Sequence, residues 1–304
     1  FLDPKPEFIY APLIPWTGKG LLILGGTKWR QHTQLLTPAF HYNILKPYVA
    51  VITDSTKVML VRKVGFFSGY TSRCKRDHCK LSRTISNMKC AFSQKSNCQT
   101  DRDLDYYVQA VSDLTFLSFR RVVSTILRSD FLYSFTPSGQ RFKQACELAH
   151  HHTEKVIEER KKSIHNEREL EKIEKKRHLD FLDILLCAKS EDGTGLSNED
   201  LRAEVDTFMF AGHDTTATGL SWLLYIMAKH PEHQQNISRE EVNEILGDRE
   251  DIQWDDLGTM TYSTMSIKGS LRVYSPVPTV SRKLSKPIAF VDGRPLPEGL
   301  QFLY

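Results

Sequence analysis

The chain has 304 residues, 40% apolar, 26% charged and 10% aromatic, with 41 basic against 37 acidic residues and a formal charge of +4. This is globular composition, long enough to bury a sizeable core. It excludes collagen-like, disordered and disulfide-rich classes, and so mild a charge gives no reason to invoke nucleic acid.

Residues 1–27 carry Pro4, Pro6, Pro12 and Pro15, then Gly18, Gly20, Gly25 and Gly26, around Leu21-Leu22-Ile23-Leu24. This predicts a loop with one short buried apolar element. The chain opens on Phe1 with neither a basic nor an apolar run, so it is expected to be a piece of something longer. Residues 28–61 read as helices, with Leu35, Leu36, Phe40, Ile44, Leu45 and Val49 apolar and Pro38 and Pro47 as punctuation. Over residues 57–89, nine lysines and arginines face Asp77 as the one acid, and apolar periodicity is poor. A solvated basic loop is the simpler reading, because Phe66, Phe67 and Tyr70 are too few for a nucleic-acid patch.

Helical periodicity returns over residues 104–160, where Leu104, Tyr107, Val108, Val111, Leu114 and Leu117 form one stripe. The stretch from Glu154 to Arg177 holds seven acids and nine bases, which predicts a solvated helix with i,i+4 pairs. His150-His151-His152 is expected to be a surface cluster, since consecutive side chains point around a helix. Ser197 caps a helix of more than 30 residues that ends before Pro231. Its most apolar part, Val205 to Ala228, is interrupted by Asp206, His213 and Asp214, which predicts a buried helix and not a membrane span. The segment after it is broken by Pro276, Pro278, Pro287, Pro295 and Pro297, with a hairpin around Asp292-Gly293. The expected fold class is therefore mainly α with a minor β portion.

Six cysteines, Cys74, Cys79, Cys90, Cys98, Cys146 and Cys187, fit free thiols in a reducing compartment. They form no paired C-x2-C units with zinc spacing, and Gly18-Lys19-Gly20 is no P-loop. The chemistry lies inside the long helix, at Phe210-Ala211-Gly212-His213-Asp214-Thr215-Thr216. Gly and β-branched Thr weaken a helix, and a Thr hydroxyl that bonds the carbonyl at i−4 bends it. A local widening with room for a small ligand is expected. Asp214 beside Thr215, at the edge of an apolar pocket, is a proton-delivery arrangement. A kinked core helix with satisfied polar groups explains the same residues.

Ala211 to Thr216 resembles the I-helix signature of cytochrome P450 monooxygenases, and Leu201 to Phe210 resembles the fatty-acid ω-hydroxylase branch, family 4. Further segments agree in order. Trp29-Arg30-Gln31-His32 with Leu35 to His41 resembles the C helix (near 28–42), and His178 to Leu186 resembles the segment before the I helix (near 198–230). Ile267 to Ser281-Arg282 resembles the K helix (near 264–273) and the strand beyond. Asp292-Gly293-Arg294 with Leu296 to Gly299 resembles the following hairpin (near 286–299). Residues 62–86 do not resemble the family's D-helix region.

The resemblance implies a P450-type helical domain over 1–304 that holds haem b and inserts oxygen from O2 into a C–H bond of a fatty acid or similar lipophile. Electrons from NADPH would arrive through NADPH-cytochrome P450 reductase, at the cytosolic face of the endoplasmic reticulum membrane. Asp214 and Thr215 would be the catalytic acid–alcohol pair, with Ala211 and Gly212 beside the oxygen. Trp29 and Arg282 would approach the haem propionates through charge-assisted bonds. Four departures accompany it. The axial Cys loop is expected beyond Tyr304. Gly269 replaces the K-helix Glu, so Arg272 loses its partner and is expected to be a costly buried cation. Thr33 stands where a C-helix Arg belongs. Ala211 replaces the Glu that can esterify haem, so haem would be held non-covalently. The expected activity is impaired, and the alternative is a haem-free helical fragment that binds apolar ligands or partners.

Overall fold

The computed structural model describes residues 3–64, 102–164, 180–188, 193, 195–235 and 240–303. Residues 65–89 of the expected basic loop, four of the cysteines and residues 165–179 of the charged run fall outside them, while residues 57–64 are corrected from loop to helix, as the end of Tyr48–Val64. The chain divides into two compact units, Phe1–Pro38 with Asp101–Phe210 and Thr279–Tyr304, and Ala39–Thr100 with Ala211–Pro278.

The first unit starts with short helical turns where the sequence predicts loop, α1 (Glu7–Tyr10), a 3-10 turn (Ala11–Leu13) and α2 (Ile14–Thr17). Pro12 and Pro15 sit at the first positions of their turns, where the missing N–H costs nothing. Gly18, at φ 61°, ends this run with its virtual Cβ only 2.8 Å from that of Ala203. Gly20 lies closer still to the chain around Ala203 and Thr207, and a side chain at either site would lift the loop away. α3 (Gly26–Leu36) follows, with His32 and Leu36 as its buried residues.

Helices α6 (Arg102–Val123) and α8 (Pro137–Ile164) make the main helix–helix contact of this unit, on either side of α7 (Asp130–Ser134). Tyr107, Val111, Leu114 and Leu117 are buried, as the periodicity predicts, and they meet Phe142, Ala145, Ala149 and Val156 in the core. Arg121 is buried too, under the Tyr133 ring, and pairs with Asp130. The histidine expectation is corrected here. His151 is exposed, but His150 Nε2 lies 2.7 Å from the Trp16 carbonyl and His152 packs at 4.7 Å from the Tyr107 ring. Residues two apart on a helix lie about 200° from one another around it, so His150 and His152 reach different neighbours while His151 between them points to water. The charged stretch beyond is solvated in part, as the Lys162–Glu158 pair at 3.4 Å shows. Arg160 departs from it and forms a bidentate bond of 2.6 and 2.7 Å to the buried Asp183, in α9 (Phe181–Cys187).

In the second unit α4 (Tyr42–Leu45) meets α5 (Tyr48–Val64). Helix α10 (Asn198–Lys229) belongs to both units, changing at Phe210. Its Ser197 cap is present, with Oγ accepting from the Asp200 N–H at 3.0 Å, and Pro231 opens α11 (Pro231–Gln235). α12 (Val242–Leu246) and α13 (Thr261–Val273) complete the second unit. Glu241 caps α13, accepting from the Tyr262 and Ser263 N–H groups at 2.5 and 2.8 Å. Returning to the first unit, β1 (Ser281–Lys283) pairs antiparallel with β4 (Gln301–Leu303), and β2 (Ile288–Ala289) with β3 (Pro295–Leu296). Gly293, at φ 84°, makes the β2–β3 turn expected from Asp292-Gly293. The observed fold is mainly helical with a minor sheet, and among the described residues no helix is long and apolar enough to cross a membrane.

Candidate functional site

Helix α10 is buried along its first half, through Leu201, Ala203, Glu204, Val205, Asp206, Thr207 and Met209. Past Phe210 it is half-buried at Ala211, Gly212, Asp214 and Thr215, and Ala217 is its fully buried residue there. Leu220, Trp222, Leu224 and Tyr225 are exposed, so burial over the whole of Val205–Ala228 is corrected to burial of its first part. Phe208 packs on Phe181 at 4.6 Å and Phe210 on Trp16 at 4.4 Å, both half-buried, and Leu220 is exposed.

The hydroxyls behave as expected. Thr215 Oγ1 donates to the Ala211 carbonyl at 2.7 Å, and Thr216 Oγ1 to that of Gly212 at 3.0 Å. Both bonds occupy carbonyls of the helix ladder, yet α10 stays α-helical throughout, so the expected local widening does not interrupt it.

Trp29 lies on α3 with its indole more than a third exposed. Thr33 closes back on the same turn, its Oγ1 donating to the Trp29 carbonyl at 2.7 Å. Arg282 is half-buried in β1 and donates to the Ser281 carbonyl at 2.7 Å. Arg272, in contrast, is exposed, which corrects the expectation of a costly buried cation: water solvates it. At Gly269, one turn earlier, a virtual Cβ meets nothing within 4 Å.

Three buried polar groups near these residues escaped the sequence reading. His32 Nδ1 and Glu204 Oε1 are 2.6 Å apart, with exposures of 3% and 0%. Glu204 Oε2 accepts from the Leu21 N–H at 3.1 Å. Burial pushes the Glu204 carboxyl above its usual range, opposed by the His32 and Leu21 hydrogen bonds. Lys5 donates to the carbonyls of Leu21 and Leu24 at 3.0 and 2.8 Å. Its ammonium is lowered to about 8, by burial first and by the positive field of Arg282 second. The signal available in the sequence was a Glu within an otherwise apolar helix face, which has to find a partner.

Asp206 is the third group. Its Oδ1 accepts from Thr153 Oγ1 at 2.6 Å, and its Oδ2 faces His150 Nε2 at 3.8 Å and Arg202 Nε at 3.9 Å. Burial pushes its carboxyl up to about 7, against the lowering by Thr153 and Arg202 and with the help of Glu154. Tyr107 and Cys146 feel the same charge. The folded pKa lies above the unfolded one, near 4, so the native state holds a proton that the unfolded chain has released. Stability from this group is complete below pH 4 and declines as pH rises to 7. Urea unfolding should show Asp206→Asn gaining on the parent between pH 5 and pH 7, by on the order of 1 kcal/mol per pH unit. An unchanged difference at both pH values would sink this account.

The model of the cytochrome P450 family matches residues 3–304, so the chain belongs to that family. It is 54% identical over 300 residues to cytochrome P450 4B1 of Homo sapiens, covering 98% of this chain and 58% of that protein. Cytochrome P450 4A11 of Homo sapiens is 51% identical over 301 residues (99% and 58%), and cytochrome P450 4A6 of Oryctolagus cuniculus 51% over 298 (98% and 58%). These relatives support the family 4 assignment, and the chain spans about 58% of their length. The group the family implies is haem, with O2 and NADPH-derived electrons.

In the first unit Trp29 and Arg282 present partly exposed donors suited to the carboxylates of a haem, and in the second Ala211 and Gly212 leave a half-buried backbone beside Asp214 and Thr215. The two described cysteines do not fit as iron ligands. Burial pushes the Cys146 thiol up to about 12 in the core of α8, and Cys187 is raised by burial as well, so neither is a ready thiolate.

Proposed function

We propose that this chain is part of a haem-thiolate monooxygenase that hydroxylates a fatty acid or similar lipophile. NADPH-cytochrome P450 reductase at the endoplasmic reticulum membrane is the proposed electron donor. The observation that carries this reading is the Thr215–Ala211 hydrogen bond beside Asp214, in the half-buried part of α10. When bound, haem supplies the oxygen activation that side chains cannot. Trp29 and Arg282 would bind its carboxylates and set its orientation. Thr215 gives its proton to a backbone carbonyl, so its oxygen is left to accept from a water or a protonated neighbour. Asp214, the adjacent acid, would hold the proton that this hydroxyl passes on. Ala211 cannot form an ester, so binding would rest on these non-covalent contacts.

A hemin titration of the purified chain, with a reduced CO difference spectrum, tests the reading. The expected result is saturable binding that weakens about tenfold in the Trp29→Ala, Arg282→Ala double variant, because two charge-assisted bonds are lost. A flat titration, or one the double variant does not change, favours the haem-free helical protein instead. The described cysteines supply no thiolate, so the CO band is expected away from the thiolate position.

A further inference from the structure

We propose that Glu204 and His32 are a positioning pair that fixes the roll of helix α3 and so aims Trp29 at a haem propionate. The proposal rests on the haem-binding reading above and adds to it two residues that do not touch the cofactor.

The geometry is confined to the first unit. Helix α3 buries only His32 and Leu36. Leu36 is an apolar anchor at its C-terminal end, and one such contact leaves a helix free to roll. A roll of about 20° would carry a side-chain tip about 2 Å, given the radius of a helix with its side chains. That displacement is enough to lose a hydrogen bond to a rigid carboxylate. His32 supplies the second anchor, one turn before Leu36 and one turn after Trp29, on one stripe of the helix.

The partner is itself held. Glu204 sits in the buried half of α10, takes the Leu21 N–H on its other oxygen, and lies in the positive field of Lys5. Leu21 belongs to the loop that Gly18 and Gly20 allow to lie against Ala203 and Thr207. Thr33 and Thr37 donate to carbonyls one turn back, and the Lys28–Asp200 pair at 3.6 Å is solvent-exposed on the lysine side. Solvated pairs of that kind contribute little. The short buried bond between α3 and α10 is a polar contact able to set the helix's rotation.

The test labels the chain with 5-fluorotryptophan and compares the parent with Glu204→Gln and His32→Leu. Glutamine keeps the size of Glu204 and so preserves the fold. In the hemin-free chain, both variants should shift and broaden the 19F resonance of residue 29, assigned by Trp29→Phe, and leave that of Trp16 in place. Hemin affinity should fall about tenfold, the usual scale for outer-shell positioning partners. Affinity for hemin dimethyl ester, whose propionates are blocked, should change less than twofold. The proposal is overturned if the residue 29 resonance stays put in both variants, if the Trp16 resonance moves with it, or if hemin and its ester weaken equally. A parent chain that binds no hemin defeats the functional reading alone, because the resonance comparison still decides the positioning pair.

Discussion

Replacing Asp183 by Ala should lower the unfolding free energy by about 3–5 kcal/mol, the range for removing one partner of a buried ion pair. Asp183 is fully buried and Arg160 is 12% exposed, and the two share two short bonds between α8 and α9. The backbone N–H of Asp183 is itself engaged, donating to the Asp180 carboxylate at 2.7 Å as a helix cap. Losing the side chain takes both of these short bonds from a guanidinium that is largely out of water, and that desolvation is the source of the cost. Urea unfolding of the single variants and of the Arg160→Met, Asp183→Leu double variant checks the mechanism. The double variant should lose clearly less than the sum of the singles, because it removes both charges together. Strict additivity would show that the pair is not the cause.

Trp16→Ala should cost a similar 3–5 kcal/mol, the range for emptying a large aromatic site. Trp16 is 1% exposed, its ring meets Phe210 at 4.4 Å, and its carbonyl is joined to His150. Through those contacts it ties α2 to both α8 and α10. Thermal unfolding should show Trp16→Phe recovering more than half of the loss, since most of the apolar volume returns. Equal losses for Ala and Phe would point to the indole's shape instead of its burial.

Long-range periodic features were legible from the sequence alone. The stripe from Tyr107 to Leu117, the Ser197 cap, the Pro231 stop and the Asp292-Gly293 turn each follow from local rules, and each is present. The motif around Ala211–Thr216 was legible because several weak helix formers stand together there. Groups whose roles depend on a distant partner were not. Glu204 meets His32 across 172 positions, and Arg160 meets Asp183 across 23, so no spacing rule could pair them. Trp16 was lost among prolines that read as loop, although proline at the first turn is compatible with a helix. Arg272 was misjudged for the opposite reason: a motif expectation supplied a buried setting that the fold does not give it.

Gly269 leaves open space on α13. A glycine inside a helix costs roughly 1 kcal/mol relative to alanine, and no neighbour has moved in to occupy the gap. A glutamate at position 269, three positions before Arg272, would meet no obstacle and would set a carboxylate on the same helix face as that exposed guanidinium.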